Sequence, residues 1–128
     1  MRGVILLAHG SRAAVDEAND FLNEAVAGVK KLLGTELVEP AWMNPKSCRQ
    51  DLRRAAARLV AAGVRQVVVA PVFLTAGLHI RRDIPERVAE LKRCYPEVEF
   101  VTTRHLGCDP RLVEVLHERI REAANWTS

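Results

Sequence analysis

The sequence predicts an α/β fold, a single domain over residues 1–128 in which a four-stranded parallel sheet carries helices on both faces. Short apolar stretches alternate four times with longer stretches of helical spacing, and this alternation is typical of parallel sheets with right-handed crossovers. Residues 4–8 and 67–74 are continuous apolar runs, as expected for central strands, whereas 36–43 and 99–103 mix polar and apolar residues, as expected at edges. The predicted strand order is therefore 2-1-3-4.

The first two helices are predicted from apolar spacing and from their end signals. Apolar residues recur every three or four positions over residues 15–33, and Gly34 supplies a stop. The second strand contains Pro40, which cannot donate to a ladder and so fits an edge strand. Ser47 and Gln50 have the spacing of a capping box and predict the start of the second helix, which Gly63 ends.

The last two helices are predicted in the same way. The third should begin near Asp83, with Glu86 three residues later as its capping partner. Asp109 followed by Pro110 predicts the start of the fourth helix. Its apolar residues have helical spacing and should turn toward the core; they are Leu112, Val115, Leu116 and Ile120.

Composition narrows the class of protein. Aromatic residues make up only 5% of the chain, which disfavours extensive base stacking, and a net charge of +3 is too small and dispersed to indicate nucleic-acid binding. Cys48, Cys94 and Cys108 form no C-x-x-C pair, which argues against a disulfide framework or structural zinc and fits a reducing compartment. Because no apolar stretch has the length of a signal peptide or a transmembrane helix, we expect a cytoplasmic protein without membrane contact.

Two histidines are expected at the ligand crevice of such a sheet. In a sheet of order 2-1-3-4, the crevice opens beyond the carboxyl ends of the first and third strands. The first strand leads into His9 and the third leads on to His79. A single histidine at a strand end usually only hydrogen-bonds, but two converging histidines raise the expectation of a shared divalent metal. Imidazole suits Co, Ni, Fe, Cu and Zn, and two protein donors leave coordination positions open for a substrate.

Neighbouring residues are candidates for substrate binding. Gly10, Ser11 and Arg12 lie at the start of the first helix, where amides, a hydroxyl and a guanidinium form an anion site. Ser11 could equally be a turn residue and Arg12 a surface charge. Gly77 would let its loop approach a ligand closely, or would only form a turn.

Other sequence features carry less information about chemistry. His105 follows the fourth strand and is a candidate residue at the rim of the crevice, while a role for Cys108 stays open. The chain contains no P-loop, no G-x-G-x-x-G and no G-x-S-x-G motif. Nucleotide-driven chemistry and serine hydrolysis are therefore disfavoured.

Together these segments resemble the small single-domain class II chelatases of the sirohydrochlorin cobaltochelatase family. The matching segments are LAHGSR at 7–12, PVFLTAGLH at 71–79 with DIP at 83–85, and HLGCDPRL at 105–112. The resemblance implies insertion of Co²⁺, or alternatively Ni²⁺ or Fe²⁺, into sirohydrochlorin without a nucleotide, in cobalamin or related tetrapyrrole biosynthesis. It also implies that His9 and His79 are both metal-binding and catalytic, and that two copies assemble as a homodimer.

One position departs from the family pattern, and two other interpretations stay open. Family members often carry a glutamate after the second strand, where this chain has AWMN at 41–44. We expect Asn44 to enter the same crevice as the histidines; it can coordinate or hydrogen-bond but carries no charge, which leaves the choice of metal open. The residues alone also allow a non-catalytic metal carrier or a histidine-phosphatase-like enzyme, although Ala8 rather than arginine precedes His9.

Overall fold

The computed structural model describes residues 1–9, 15–43, 50–74, 77–107 and 109–124, with the backbone alone for residues 15–20 and 78–80. Within these ranges strand and helix alternate four times, as predicted. The elements, numbered in chain order, are β1 (Arg2–Ala8), α1 (Val15–Leu33), β2 (Val38–Trp42), α2 (Leu52–Ala61), β3 (Gln66–Pro71), α3 (Leu78–Cys94), β4 (Glu99–Thr102) and α4 (Pro110–Ala124).

The four strands form one parallel sheet in the order β2-β1-β3-β4, so the predicted order is confirmed. β1 lies inside the sheet and pairs on both sides, with Val4 opposite Val38 and Val68. Ile5 and Leu7 of this strand are fully buried. A parallel strand with neighbours on both sides is normally also covered on both faces, which is why its sequence is a continuous apolar run.

Successive residues of a strand point to opposite faces of the sheet. Helices cover both faces, so the fold has two hydrophobic cores. The larger core contains Ile5 and Leu7 of β1, and α2 and α3 pack into it through residues such as Leu59 and Val88. The smaller core contains Leu6 of β1 and is covered by α1. The predicted α/β class with helices on both faces is therefore confirmed.

Both the second and third strands are shorter than predicted. β3 ends at Pro71 rather than at residue 74, although the Val72 N–H still donates to the Leu7 carbonyl at 2.8 Å. Leu74 is 62% exposed, so the chain has left the core by that point despite its apolar sequence. β2 covers Val38–Trp42 and has β1 as its one neighbour among the described strands, which is the edge position that Pro40 predicted.

The second helix begins on a different residue from the one predicted. α2 is capped by Asp51, whose Oδ1 accepts a hydrogen bond from the Arg54 N–H at 2.8 Å. Gln50 is engaged elsewhere, because its side-chain amide donates to the carbonyl of Pro40 at 2.7 Å and so holds β2. The prediction that Gln50 is the capping partner of Ser47 is therefore wrong. Ser47 itself lies outside the described residues.

The third helix begins five residues earlier than predicted. α3 starts at Leu78, with Gly77 as its N-cap and the Arg81 N–H donating to the Gly77 carbonyl at 3.1 Å. The local signal around Asp83 does not mark a start, because the backbone upstream is already helical. Pro85 consequently lies inside the helix. This correction puts His79 in the first turn of a helix instead of in a loop.

The fourth helix starts where predicted but does not pack as predicted. Pro110 is its first residue, and Oδ1 of Asp109 accepts from the Arg111 N–H at 2.9 Å. None of its residues is buried, and Leu116 and Ile120 are 62% and 53% exposed. The expectation that Leu112, Val115, Leu116 and Ile120 turn inward is wrong, because helical spacing creates an apolar face without specifying what covers it.

Across the described ranges, no helix has both the length and the apolar character that crossing a membrane requires.

Candidate functional site

His9 lies at the carboxyl edge of the sheet, directly after the last residue of β1. Its side chain is exposed, and its ring meets the ring of Phe73 edge to face, with 6.3 Å between centroids and 78° between planes. Phe73 is only 8% exposed and belongs to the larger core. A core residue therefore supports one side of the imidazole and leaves the rest accessible to a ligand.

Backbone hydrogen bonds hold the strand exits together at this edge. The Met43 N–H, just after β2, donates to the Ala8 carbonyl at 2.8 Å. Next to β1 on the β3–β4 half of the sheet, the Leu106 N–H donates to the Phe73 carbonyl at 3.0 Å. This bond connects the segment after β4 to the segment after β3. The exits of all four strands thus form one continuous edge on which His9 occupies a central place.

His79 follows β3 at the same edge. It is the second residue of α3, and Gly77 caps that helix in an extended conformation with φ −71° and ψ 170°. A Cβ placed on Gly77 would meet no heavy atom within 4 Å. Neither backbone conformation nor crowding requires glycine there, so a role for Gly77 in letting a ligand approach stays a prediction.

Four of the predicted substrate-binding residues lie outside the described residues: Gly10, Ser11, Arg12 and Asn44. Among the side chains that the structure does describe, no three histidine, cysteine or carboxylate groups are gathered closely enough to hold a metal ion. The sharing of one metal by His9 and His79 therefore stays a prediction.

Exposed arginine side chains and one exposed histidine follow the strands at the same edge. Arg81 and Arg82 lie in the first two turns of α3. Arg104 and His105 follow β4, where the Thr103 N–H still bonds to the carbonyl of Val69 in β3 at 2.9 Å. Clustered positive charge at the mouth of a cleft attracts a ligand that bears several carboxylates. The rim position predicted for His105 is consistent with this placement.

Two aromatic residues shape this edge without a signal in the sequence that reveals their role. Phe73 was counted as part of a buried strand, and its contact with His9 joins positions 64 residues apart in the chain, which no local pattern reveals. Trp42 ends β2 opposite Ala8 and is 6% exposed. Its indole N–H is buried and has no acceptor in the described part of the chain. The sequence pattern of β2 predicted an edge strand but neither the burial of Trp42 nor this unused donor.

Asp109 and Arg111 form a local ion pair before and within the first turn of α4. Both carboxylate oxygens of Asp109 accept from the Arg111 side chain, at 2.8 and 2.9 Å. These side-chain hydrogen bonds, followed by the bond from the Arg111 backbone N–H, hold the pKa of Asp109 well below its usual range. Arg111 is thereby occupied by the helix cap and contributes less to the basic rim than Arg104 does.

A separate groove of about 460 Å³ lies between the start of α2 and the middle of α3. Four carboxylates and two guanidinium groups line it, together with two leucines; the residues are Asp51, Leu52, Arg53, Asp83, Glu86, Arg87, Glu90 and Leu91. Its excess of negative charge would repel a polyanionic ligand, so the rim beside His9 is the better candidate for such a ligand.

The sequence matches the family model named CbiX over residues 3–123. The chloroplastic sirohydrochlorin ferrochelatase of Arabidopsis thaliana is 34% identical over 93% of this chain and 51% of its own length. The sirohydrochlorin cobaltochelatase of Sulfurisphaera tokodaii is 31% identical over 95% of this chain and 93% of its own length. The chain therefore spans about half of the first relative and nearly all of the second.

Solved structures show the same fold. A CbiX protein of cobalamin biosynthesis from Marinobacter aquaeolei VT8 superposes with a TM-score of 0.78 and 28% identity, with 98% of each chain covered. The sirohydrochlorin chelatase SirB from Bacillus subtilis subspecies spizizenii, in complex with cobalt, gives a TM-score of 0.84 at 22% identity. That match covers 96% of this chain and 51% of SirB, and at this identity it speaks for the fold alone.

Proposed function

Since the chain belongs to the CbiX family of sirohydrochlorin chelatases, we propose that it inserts a divalent metal ion, with Co²⁺ favoured, into sirohydrochlorin without ATP. The observation that carries this proposal is the placement of His9, accessible at the carboxyl edge of the sheet and supported by Phe73. The first turn of α3, with His79, follows β3 at that edge. The phosphatase-like alternative rested on the placement of His9 alone and loses its basis with family membership.

Cobalt is favoured over iron and nickel because of the relative whose length this chain matches best among the two compared above. The relative from Sulfurisphaera tokodaii, which this chain matches over nearly its whole length, is named a cobaltochelatase. Iron is the main alternative, because the Arabidopsis thaliana relative, named a ferrochelatase, is slightly more identical. Nickel is kept as a third choice, since imidazole ligands suit all three metals.

The proposed reaction releases two protons for each metal ion inserted. His9 and His79 hold the ion through neutral imidazoles and leave coordination positions open, because a closed site would trap it. The metal–imidazole bonds are exchanged for bonds to the macrocycle nitrogens, and two pyrrole N–H bonds break. A histidine released from the metal accepts one of these protons, and solvent accepts the other.

The macrocycle would be held through its carboxylates. Arg81, Arg82 and Arg104 provide positive charge along the described part of the rim. We assign the same role to the predicted anion site of Ser11 and Arg12, because backbone amides and a guanidinium at a helix start favour carboxylates. Gly10, Gly77 and Asn44 complete the proposed substrate-binding set.

The proposed assembly is a homodimer in the cytoplasm. This assembly is the one that the family resemblance implies, with two copies completing the enclosure for a large macrocycle. The exposed apolar face of α4 supports this assembly, because Val113, Leu116 and Ile120 are all more than half exposed in the single chain. Contiguous exposed apolar surface is typical of interfaces.

Parallel insertion assays test the proposal. Purified protein is mixed with sirohydrochlorin and Co²⁺, Ni²⁺ or Fe²⁺, and the visible spectrum is followed against protein-free mixtures. We expect catalysed insertion with Co²⁺ as the fastest metal. Binding of Co²⁺ without any acceleration would identify a metal carrier instead of a chelatase, and acceleration that is greatest with Fe²⁺ would overturn the choice of metal.

A further inference from the structure

The backbone of Met43 connects three elements that bear proposed site residues. Its N–H donates to the carbonyl of Ala8 at 2.8 Å, at the end of β1 and next to His9. Its carbonyl oxygen accepts from Nη1 of Arg87 at 3.0 Å, in the helix whose first turn contains His79. Met43 itself is only 5% exposed. One residue after β2 is therefore bonded both to β1 and to α3.

The bond from Arg87 crosses 44 positions of the chain and is half-buried. A hydrogen bond with a charged donor is stronger than a neutral one, and partial burial strengthens it further. The carboxylates of Asp83, Glu86 and Glu90 line the same groove and favour the charged guanidinium. Arg53 on α2 lines that groove too, but its partner is Glu90, at 3.3 Å.

Pro85 increases the importance of this bond. A proline inside a helix removes one i→i−4 hydrogen bond, which here would run to the carbonyl of Arg81 in the second turn of α3. Arg87 lies two residues beyond that gap and provides a tertiary bond to the strand exit. The body of α3 is thereby attached to the edge of the sheet at the point where the helix loses internal support.

We propose that Arg87 is a positioning residue for metal insertion. It fixes the carbonyl of Met43, whose peptide bond leads into Asn44, relative to both β1 and α3. The inference rests on the proposed function, in which His9 and His79 hold the ion and Asn44 belongs to the substrate-binding set of the same crevice. Metal–nitrogen bonds of about 2 Å tolerate displacements of only about 0.5 Å, so a loosened strand exit misplaces a ligand before it unfolds the chain.

Three variants separate positioning from general stability. Arg87→Met removes the donor but keeps much of the aliphatic stem, Arg87→Lys retains a charged donor, and Arg53→Met is the matched control on the same groove. We expect Arg87→Met to lower kcat for Co²⁺ insertion about tenfold while KM for sirohydrochlorin stays within about twofold. Arg87→Lys should lose only about threefold in kcat, and Arg53→Met should match the wild type.

Hydrogen exchange of the Met43 amide provides a readout independent of activity. Its exchange should accelerate about tenfold in Arg87→Met, because loss of the carbonyl bond loosens the residue that also bonds Ala8, and it should not change in Arg53→Met. Wild-type kcat with unchanged exchange in Arg87→Met would overturn the inference, as would Arg87→Lys behaving no better than Arg87→Met.

Two further outcomes remain decisive. If Arg87→Met does not fold, Arg87→Lys alone tests the inference. We then expect Arg87→Lys to lose part of kcat and part of the protection of the Met43 amide. A variant that loses neither would contradict the inference. If the wild type inserts no metal into sirohydrochlorin, the proposed function fails, while the exchange of the Met43 amide still shows whether Arg87 holds the strand exit.

Discussion

α2 and α4 carry almost equally strong apolar stripes, yet they differ completely in burial. On α2, Leu52, Ala55, Ala56 and Leu59 are all at most 2% exposed. On α4 no residue is buried. An amphipathic pattern therefore predicts that a face will be covered, but not whether this chain or another covers it. For α2 the cover is the sheet, and for α4 we assign it to the second copy of the proposed homodimer.

The largest expected effect comes from replacing a leucine by alanine on α2 and, for comparison, on α4. Leu59→Ala should lower the free energy of unfolding by about 2–5 kcal/mol, because it removes a fully buried side chain from the larger core. Leu116→Ala should cost less than about 0.5 kcal/mol under conditions where the protein is monomeric. Urea unfolding of both variants at low protein concentration measures the difference, and equal losses would break the comparison.

A charge on the α4 face should separate the two copies. Leu116→Asp should weaken association about a hundredfold, because a carboxylate would be buried at an apolar contact. Leu32→Asp is the matched control, since Leu32 is 87% exposed on α1. Sedimentation over micromolar concentrations distinguishes them. Loss of association in the Leu32 variant alone would move the interface from α4 to α1.

The segment between β2 and α2 provides the third test, at Asn44. Asn44→Glu should tighten Co²⁺ binding about tenfold, since a charged ligand in a partly desolvated site is commonly worth about 1–3 kcal/mol. Asn44→Gln has the same length without the charge and serves as the control. Isothermal titration compares them, and equal affinities of the two variants would mean that position 44 faces away from the metal.

The smallest effect concerns Asp109, the aspartate that precedes α4. Hydrogen bonds from Arg111 lower the pKa of Asp109, so the ionised form favours the folded helix. That contribution is fully present above pH 3.8, the ordinary value, and is lost as the pH falls further through the lowered pKa. Asp109→Asn should therefore lower Tm by about 2 °C at neutral pH, because the pair is exposed. The difference should vanish in strong acid, and a difference that grows on acidification would contradict this assignment.

Sheet order and strand type were predictable because burial on two faces leaves a direct trace in the sequence. The continuous apolar runs of β1 and β3 placed them inside the sheet, and Pro40 placed β2 at an edge. The carboxyl-edge position of His9 followed from that order alone. These features depend on local composition together with one topological rule.

Other features depend on contacts that local patterns do not encode. The predicted start of α3 near Asp83 is wrong, because Asp83 and Glu86 have the spacing of a capping box but the backbone upstream is already helical. The support of His9 by Phe73 and the bond from Arg87 to Met43 each join distant parts of the chain. The exposure of α4 could not be foreseen either, since its apolar stripe is the same whether or not this chain covers it.

The measurement that tests the central claim most directly is Co²⁺ insertion into sirohydrochlorin by the histidine variants. His9→Ala and His79→Ala should each reduce kcat at least about a hundredfold without loss of fold, because each removes a proposed metal ligand. Leu32→Ala, at an exposed position of α1 outside the proposed site and interface, should retain the wild-type rate. Wild-type insertion rates in folded His9→Ala or His79→Ala would contradict the account.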